Sequence, residues 1–163
     1  MGLPGVAISP VPLHWSKLER PQVSGTYVPR AQLEARLDRT LTTPLTIITA
    51  PAGHGKTRTL VEWVTKRAPA TAWVTLGHRD SDLTQCAAHV AAALDRALPG
   101  VAPPLFAQLS APDRLTPGAL GEVFGDTLYD LPHDLVLILD DFHAAHTGAT
   151  ADFVAGLVLA APA

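Results

Sequence analysis

Ten residues carry most of the chemistry that this sequence offers: the run Ala-Pro-Ala-Gly-His-Gly-Lys-Thr at positions 50–57, and the adjacent acids Asp140 and Asp141. Gly53 and Gly55 let a backbone turn tightly and aim several N–H groups at one point. A helix opening at Lys56 adds the positive end of its dipole, so the turn favours a polyphosphate. The Lys56 ammonium can reach the outer phosphates, and the Thr57 hydroxyl offers a hard oxygen to Mg²⁺. Asp140 closes the run Leu-Val-Leu-Ile-Leu-Asp-Asp, where its carboxylate can hold the same Mg²⁺ through a water shell. Asp141 then stands where a side chain can orient or deprotonate an attacking water, which makes Lys56 and Asp141 the candidate catalytic pair.

Such groups work only if ordered elements bring them together. Residues 45–49, Leu-Thr-Ile-Ile-Thr, form a compact β-branched run between Pro44 and Pro51, and predict a buried strand leading into the turn. Lys56 to Arg67 predicts a helix with Leu60, Val61 and Val64 on one side, closed off near Pro69. A second strand is expected over 71–76 and an alanine-rich helix over 83–98. The proline-rich stretch 99–117 reads as a long loop, and 118–131 as a helix despite three glycines. The clearest strand is 134–141, whose five consecutive apolar residues imply burial on both faces, as inside a parallel sheet. Before the turn, Leu33 and Leu37 mark a short amphipathic helix over 30–40, and the prolines of residues 1–26 imply an irregular leader. Strands alternating with helices predict an α/β fold with a parallel sheet.

The 163 residues suit one domain, and 47% hydrophobic against 17% charged residues can support a packed core. A net charge of −3 supplies no basic field for nucleic acid, so DNA contact would need another part or another chain. One cysteine, Cys86, excludes an internal disulfide and fits a reducing compartment. No targeting segment stands out, and the C-terminal apolar run is too short to cross a bilayer, which is about 20 residues deep for a helix. A cytoplasmic protein without membrane contact is the expectation.

Strand, glycine turn, Lys-Thr and helix together resemble the phosphate-binding loop of P-loop NTPases, G-x-x-x-x-G-K-[ST], with Ala50 in place of the first glycine. Residues 50–57 would be its Walker A element and 136–141 its Walker B strand. The order Tyr-Val-Pro-Arg-Ala-Gln-Leu-Glu-Ala-Arg-Leu, then 45–63, then Ala-Trp-Val-Thr-Leu-Gly-His-Arg-Asp-Ser-Asp, then Leu-Val-Leu-Ile-Leu-Asp-Asp-Phe-His further resembles the nucleotide-binding module of MalT-like, LuxR-type transcriptional activators of the STAND class. Ala50 matches that family where it departs from the general pattern.

The resemblance covers residues 27 to about 150. It implies a three-layer P-loop NTPase domain over 27–163, of ASCE or AAA-like type, cut short after the Walker B strand. It also implies ATP or ADP with Mg²⁺ as ligands. Tyr27, Val28 and Arg30 would lie near the adenine, and Ala52, Gly53, His54, Gly55, Lys56, Thr57 and Arg58 would line the phosphates. Thr57 and Asp140 would serve the metal. His54 occupies a variable position, where a bystander role is the simpler reading. The family's Asp-Glu-x-Asp turn appears here as Gly-His-Arg-Asp-Ser-Asp, which leaves the roles of Asp80 and Asp82 open.

The function so implied is an ATP-dependent switch that self-associates when ATP-bound, hydrolyses slowly, and reaches DNA through a C-terminal helix-turn-helix outside these residues. A small P-loop kinase and a non-catalytic truncated remnant are the alternatives. Trp63, Trp73 and Cys86 are expected in the core, and His89 has no evident partner. Asp140, His143 and His146 have metal-like spacing, but without a cysteine pair a structural reading is preferred.

Overall fold

The computed structural model describes residues 8–25, 28–51, 53–67, 70–129 and 134–162. Two apolar runs become strands, β1 (Ala70–Thr75) and β2 (Leu135–Asp140). They pair in parallel, in a register running from Ala70 opposite Leu135 to Thr75 opposite Asp140. Side chains alternate across this ribbon. Ala72, Val74, Leu135, Leu137 and Leu139 face one core, while Trp73, Val136 and Ile138 face another. Helices cover both faces, so the protein is α/β with a parallel sheet.

The first core is built on α3 (Leu83–Ala97), in which nine successive residues, Cys86 to Leu94, are buried. A helix apolar on every side must be enclosed, and here β1 and α4 (Ala102–Ser110) enclose it. The enclosed Cys86 thiol is pushed up to about 12, chiefly by burial and then by the Asp80 charge. The second core joins α1 (Ala31–Leu37) to α2 (Lys56–Arg67) through Leu37, Val61, Trp63 and Val64, against Trp73 and Ile138. Trp63 and Trp73 are 1% and 3% exposed, as core residues.

The remaining helices, α5 (Pro117–Tyr129) and α6 (Gly148–Ala160), pack closely because glycines face one another. A Cβ on Gly121 would sit 2.0 Å from the Phe153 carbonyl oxygen, and one on Gly156 would sit 2.1 Å from that of Gly118. The glycines that weakened the expectation of a helix over 118–131 are what bring these two backbones together.

Three expectations need correction. Residues 45–49 form no strand. Among the described residues the sheet has two strands, and no main-chain hydrogen bond is formed by 45–49. Leu45 and Ile47 are 50% and 74% exposed, and only Ile48 leans on the α2 core. The expected loop 99–117 contains α4, because Pro103 and Pro104 occupy its first turn, where a missing N–H costs nothing. Asp95 accepts the N–H groups of Gly100 and Ala102, at 2.9 and 3.0 Å, and so satisfies that helix start. The leader, within 8–25, is not merely irregular. Trp15–Leu18 make a 3₁₀ turn, and Val11, Leu13 and Leu18 pack into the first core.

Candidate phosphate and metal site

Gly53 and Gly55 adopt φ of +78° and +74°, a left-handed conformation that side chains disfavour. A Cβ at either would meet no atom within 4 Å, so the requirement is backbone freedom rather than space. The Gly55 carbonyl accepts from Thr59 N–H at 2.9 Å and starts the ladder of α2. The Lys56 ammonium folds back over its own loop and donates to the carbonyls of Ala50, at 2.6 Å, and Pro51, at 3.2 Å.

Thr57, the next residue of α2, projects toward the end of β2. Its hydroxyl lies 2.9 and 3.2 Å from the two carboxylate oxygens of Asp140. The main chain of Asp140 is fixed by Leu76 N–H, which donates to its carbonyl at 2.9 Å. Asp140 is 7% exposed, and its carboxyl group is held above the ordinary aspartate range, first by burial and also by the Asp141 charge, against the Thr57 hydrogen bond. Asp141 turns the chain at φ 56°, and its N–H donates to Asp140 Oδ1 at 3.1 Å. The Asp141 side chain stands half-exposed, 3.9 Å from His143 Nδ1. His146 stacks edge-on against Phe142. Among the described residues no group of three His, Cys, Asp or Glu side chains is grouped to hold a metal.

Thr57 and Asp140 therefore come together, with Asp141 and Lys56 flanking them. Their hard oxygens suit Mg²⁺, and the carboxylate already leans on the residue that would share the ion. Ala52 and Tyr27 lie outside the described residues. Val28 is 74% exposed. Arg30 donates to the His54 carbonyl at 3.3 Å, and Arg58 donates to the Ser24 carbonyl at 2.9 Å and also to that of Gly25. Two cavities of about 310 and 590 Å³ lie where the leader meets α3. Neither is lined by Lys56, Thr57 or Asp140.

A second polar cluster escaped the sequence reading. Asp80 is fully buried and accepts from His89 Nδ1 at 2.7 Å, from Gly77 N–H at 2.7 Å, and from Lys17 of the leader. His89, also fully buried, accepts the His14 N–H on Nε2 at 3.1 Å. His89 thus has partners, contrary to expectation, and Asp80 anchors the leader. Asp82 caps α3 by accepting Gln85 N–H at 2.9 Å. These partners are 75, 63 and 9 positions apart, so no local spacing signals them.

A parallel β ribbon between helices, with a glycine turn opening a helix toward the aspartate that ends the second strand, is compatible with a P-loop-like domain. No family model matches the sequence. Among curated proteins, the chain is 30% identical over 131 residues to the HTH-type transcriptional regulator MalT of Cronobacter sakazakii, a match covering 78% of this chain and 14% of that protein. A second match, to the HTH-type transcriptional regulator MalT of Serratia proteamaculans, is 30% identical over 128 residues with the same coverage. The likeness supports a relationship to MalT-like regulators, of whose length this chain spans about one seventh.

Proposed function

We propose that this chain is the Mg·ATP-binding switch module of a MalT-like transcriptional regulator. The observation that carries the reading is the Thr57 hydroxyl set against both oxygens of Asp140, next to a glycine turn with Lys56 at its end. In this reading the N–H groups around Gly53 and Gly55 cradle the phosphates. Lys56 exchanges the carbonyls of Ala50 and Pro51 for phosphate oxygens, and Thr57 and Asp140 share the ion. The bound ion would neutralise phosphate charge. Asp141, held beside Asp140 by its own N–H, orients or deprotonates water for slow hydrolysis. Bound ATP would favour self-association, and promoter DNA would be met by other parts of the longer regulator. No helix of the described residues is long and apolar enough to cross a membrane, which suits such a regulator.

The exchange of partners by Lys56 supplies a test. Mg·ATP raises the melting temperature of the chain, because a ligand that binds only the folded state stabilises it by mass action. Lys56→Ala removes that rise without lowering the melting temperature of the unliganded protein by more than a few degrees. An equal rise in both proteins would overturn the assignment.

A further inference from the structure

Asp80 is a fully buried carboxylate to which the switch reading assigns no role. Both of its oxygens are occupied. Oδ1 takes the His89 Nδ1–H at 2.7 Å, and Oδ2 takes the Gly77 N–H at 2.7 Å together with the Lys17 ammonium. Three separate segments thus close on one group: the leader, the turn after β1, and α3. The leader is seated beside it by the His14 N–H on His89 Nε2, at 3.1 Å, and by the Pro12 carbonyl, which accepts the Gln85 amide at 2.9 Å. A buried ion pair is a weak source of net stability, because desolvation offsets its attraction. Its geometry is nevertheless exacting, and that geometry borders the phosphate and metal site. Leu76, the residue before Gly77, donates its N–H to the Asp140 carbonyl at 2.9 Å. The 3₁₀ turn His78–Ser81, which contains Asp80, lies against the 3₁₀ turn Phe142–Ala144. Asp141 opens that second turn at φ 56°, the one positive φ outside glycine among the described residues, and its carbonyl accepts the Ala144 N–H at 2.9 Å. A residue in that conformation is held there by its surroundings.

We propose that Lys17 and Asp80 are positioning residues for the metal end of the site: the leader, through Lys17, braces the turn after β1, and that turn holds Asp140 and Asp141 where an ion shared with Thr57 needs them. This rests on the nucleotide reading given above. The brace acts through main chain rather than on the ligand, from Asp80 to Gly77, from Leu76 to Asp140, and from the Asp80 turn to the Asp141 turn. Seating of the leader and binding of the metal are thereby coupled, and each favours the other.

Three variants of the full 163-residue chain test the brace. Lys17→Met keeps the apolar stem and removes the ammonium, while Lys17→Arg restores a cation. Gly125→Ala crowds the far end of α6, 2.7 Å from Leu157 and Ala160, and controls for general destabilisation. Calorimetric titration with ATP, in Mg²⁺ and in excess EDTA, reads the metal-dependent part of affinity. Hydrogen exchange in the ligand-free chains at Leu76 and Ala144, taken relative to Val64 of α2, reads the site wall without any nucleotide. Loss of one charge-assisted hydrogen bond predicts that Lys17→Met lowers the ratio of Mg²⁺ to EDTA affinity about tenfold and speeds relative exchange at both amides about tenfold, with affinity in EDTA within about twofold of the parent. Lys17→Arg recovers most of both effects, and Gly125→Ala shows neither. An unchanged ratio or unchanged exchange in Lys17→Met, or equal effects in Gly125→Ala, overturns the proposal while the nucleotide reading stands. A parent chain that bound no ATP, or bound it equally with and without Mg²⁺, would overturn the nucleotide reading itself and the brace with it.

Discussion

The hydroxyl of Thr57 bridges to both carboxylate oxygens of Asp140, at 2.9 and 3.2 Å, from 83 residues away in the chain. This contact ties the first turn of α2 to the end of β2. It is also the relationship that a shared Mg²⁺ would need. Thr57→Val keeps the shape and removes the oxygen. The expected result is loss of the Mg²⁺-dependent part of ATP affinity, with a cost to folding of about 1 kcal/mol for one hydrogen bond. Thr57→Ser retains both. Titrations with and without Mg²⁺, beside chemical denaturation, read the two effects separately.

Acid stability is governed in part by Asp80. Burial alone would raise its pKa, but hydrogen bonds from His89, Lys17 and the Gly77 N–H outweigh it and hold the group at about 2, against an ordinary 3.8. With the folded value below the unfolded one, the stabilisation is complete above pH 3.8 and is lost as the pH falls toward about 2. The predicted loss across that window is on the order of 2 kcal/mol. Denaturant melts at a series of acid pH values should show this slope in the parent chain and a shallower one in Asp80→Asn. The variant should also be less stable at neutral pH, because Lys17 and His89 lose their acceptor.

Glycines in α5 separate propensity from packing. Alanine favours a helix interior over glycine by roughly 1 kcal/mol. At Gly121 the added methyl would lie 2.0 Å from a main-chain oxygen of α6, which cannot give way without moving the helix. At Gly118 the nearest atom would be 3.9 Å away. Gly121→Ala is therefore expected to destabilise by about 2 kcal/mol or more, and Gly118→Ala to be neutral or mildly stabilising. Thermal melts of the two variants check the contrast.

These elements were unequally legible in the sequence. The strand ending at Asp140 was plain because five apolar residues in a row, closed by acids, leave little else to form. The helix from Lys56 followed from periodicity, and the burial of Trp63 and Trp73 was what the family resemblance implied. Residues 45–49 have the composition of a buried strand, yet composition does not supply a hydrogen-bonding neighbour, and none of the described strands pairs with them. Proline counting hid α4, since Pro103 and Pro104 are harmless in a first turn. The glycine turn and both aspartates were readable as motifs. That Arg58 grips the leader, and that Lys17, Asp80 and His89 meet in the interior, depends on contacts between distant positions, which one sequence does not encode locally.

The central claim is that the loop around Gly55 and Lys56, together with Thr57 and Asp140, holds a magnesium-bound triphosphate. Isothermal titration of the chain with ATP, in Mg²⁺ and again in excess EDTA, tests it most directly, with Asp140→Asn titrated alongside. The account predicts saturable binding of one nucleotide per chain in Mg²⁺, weaker binding in EDTA, and an Asp140→Asn variant that no longer distinguishes the two buffers. Heats that do not saturate in either buffer, or binding in which Mg²⁺ and Asp140 make no difference, would contradict it.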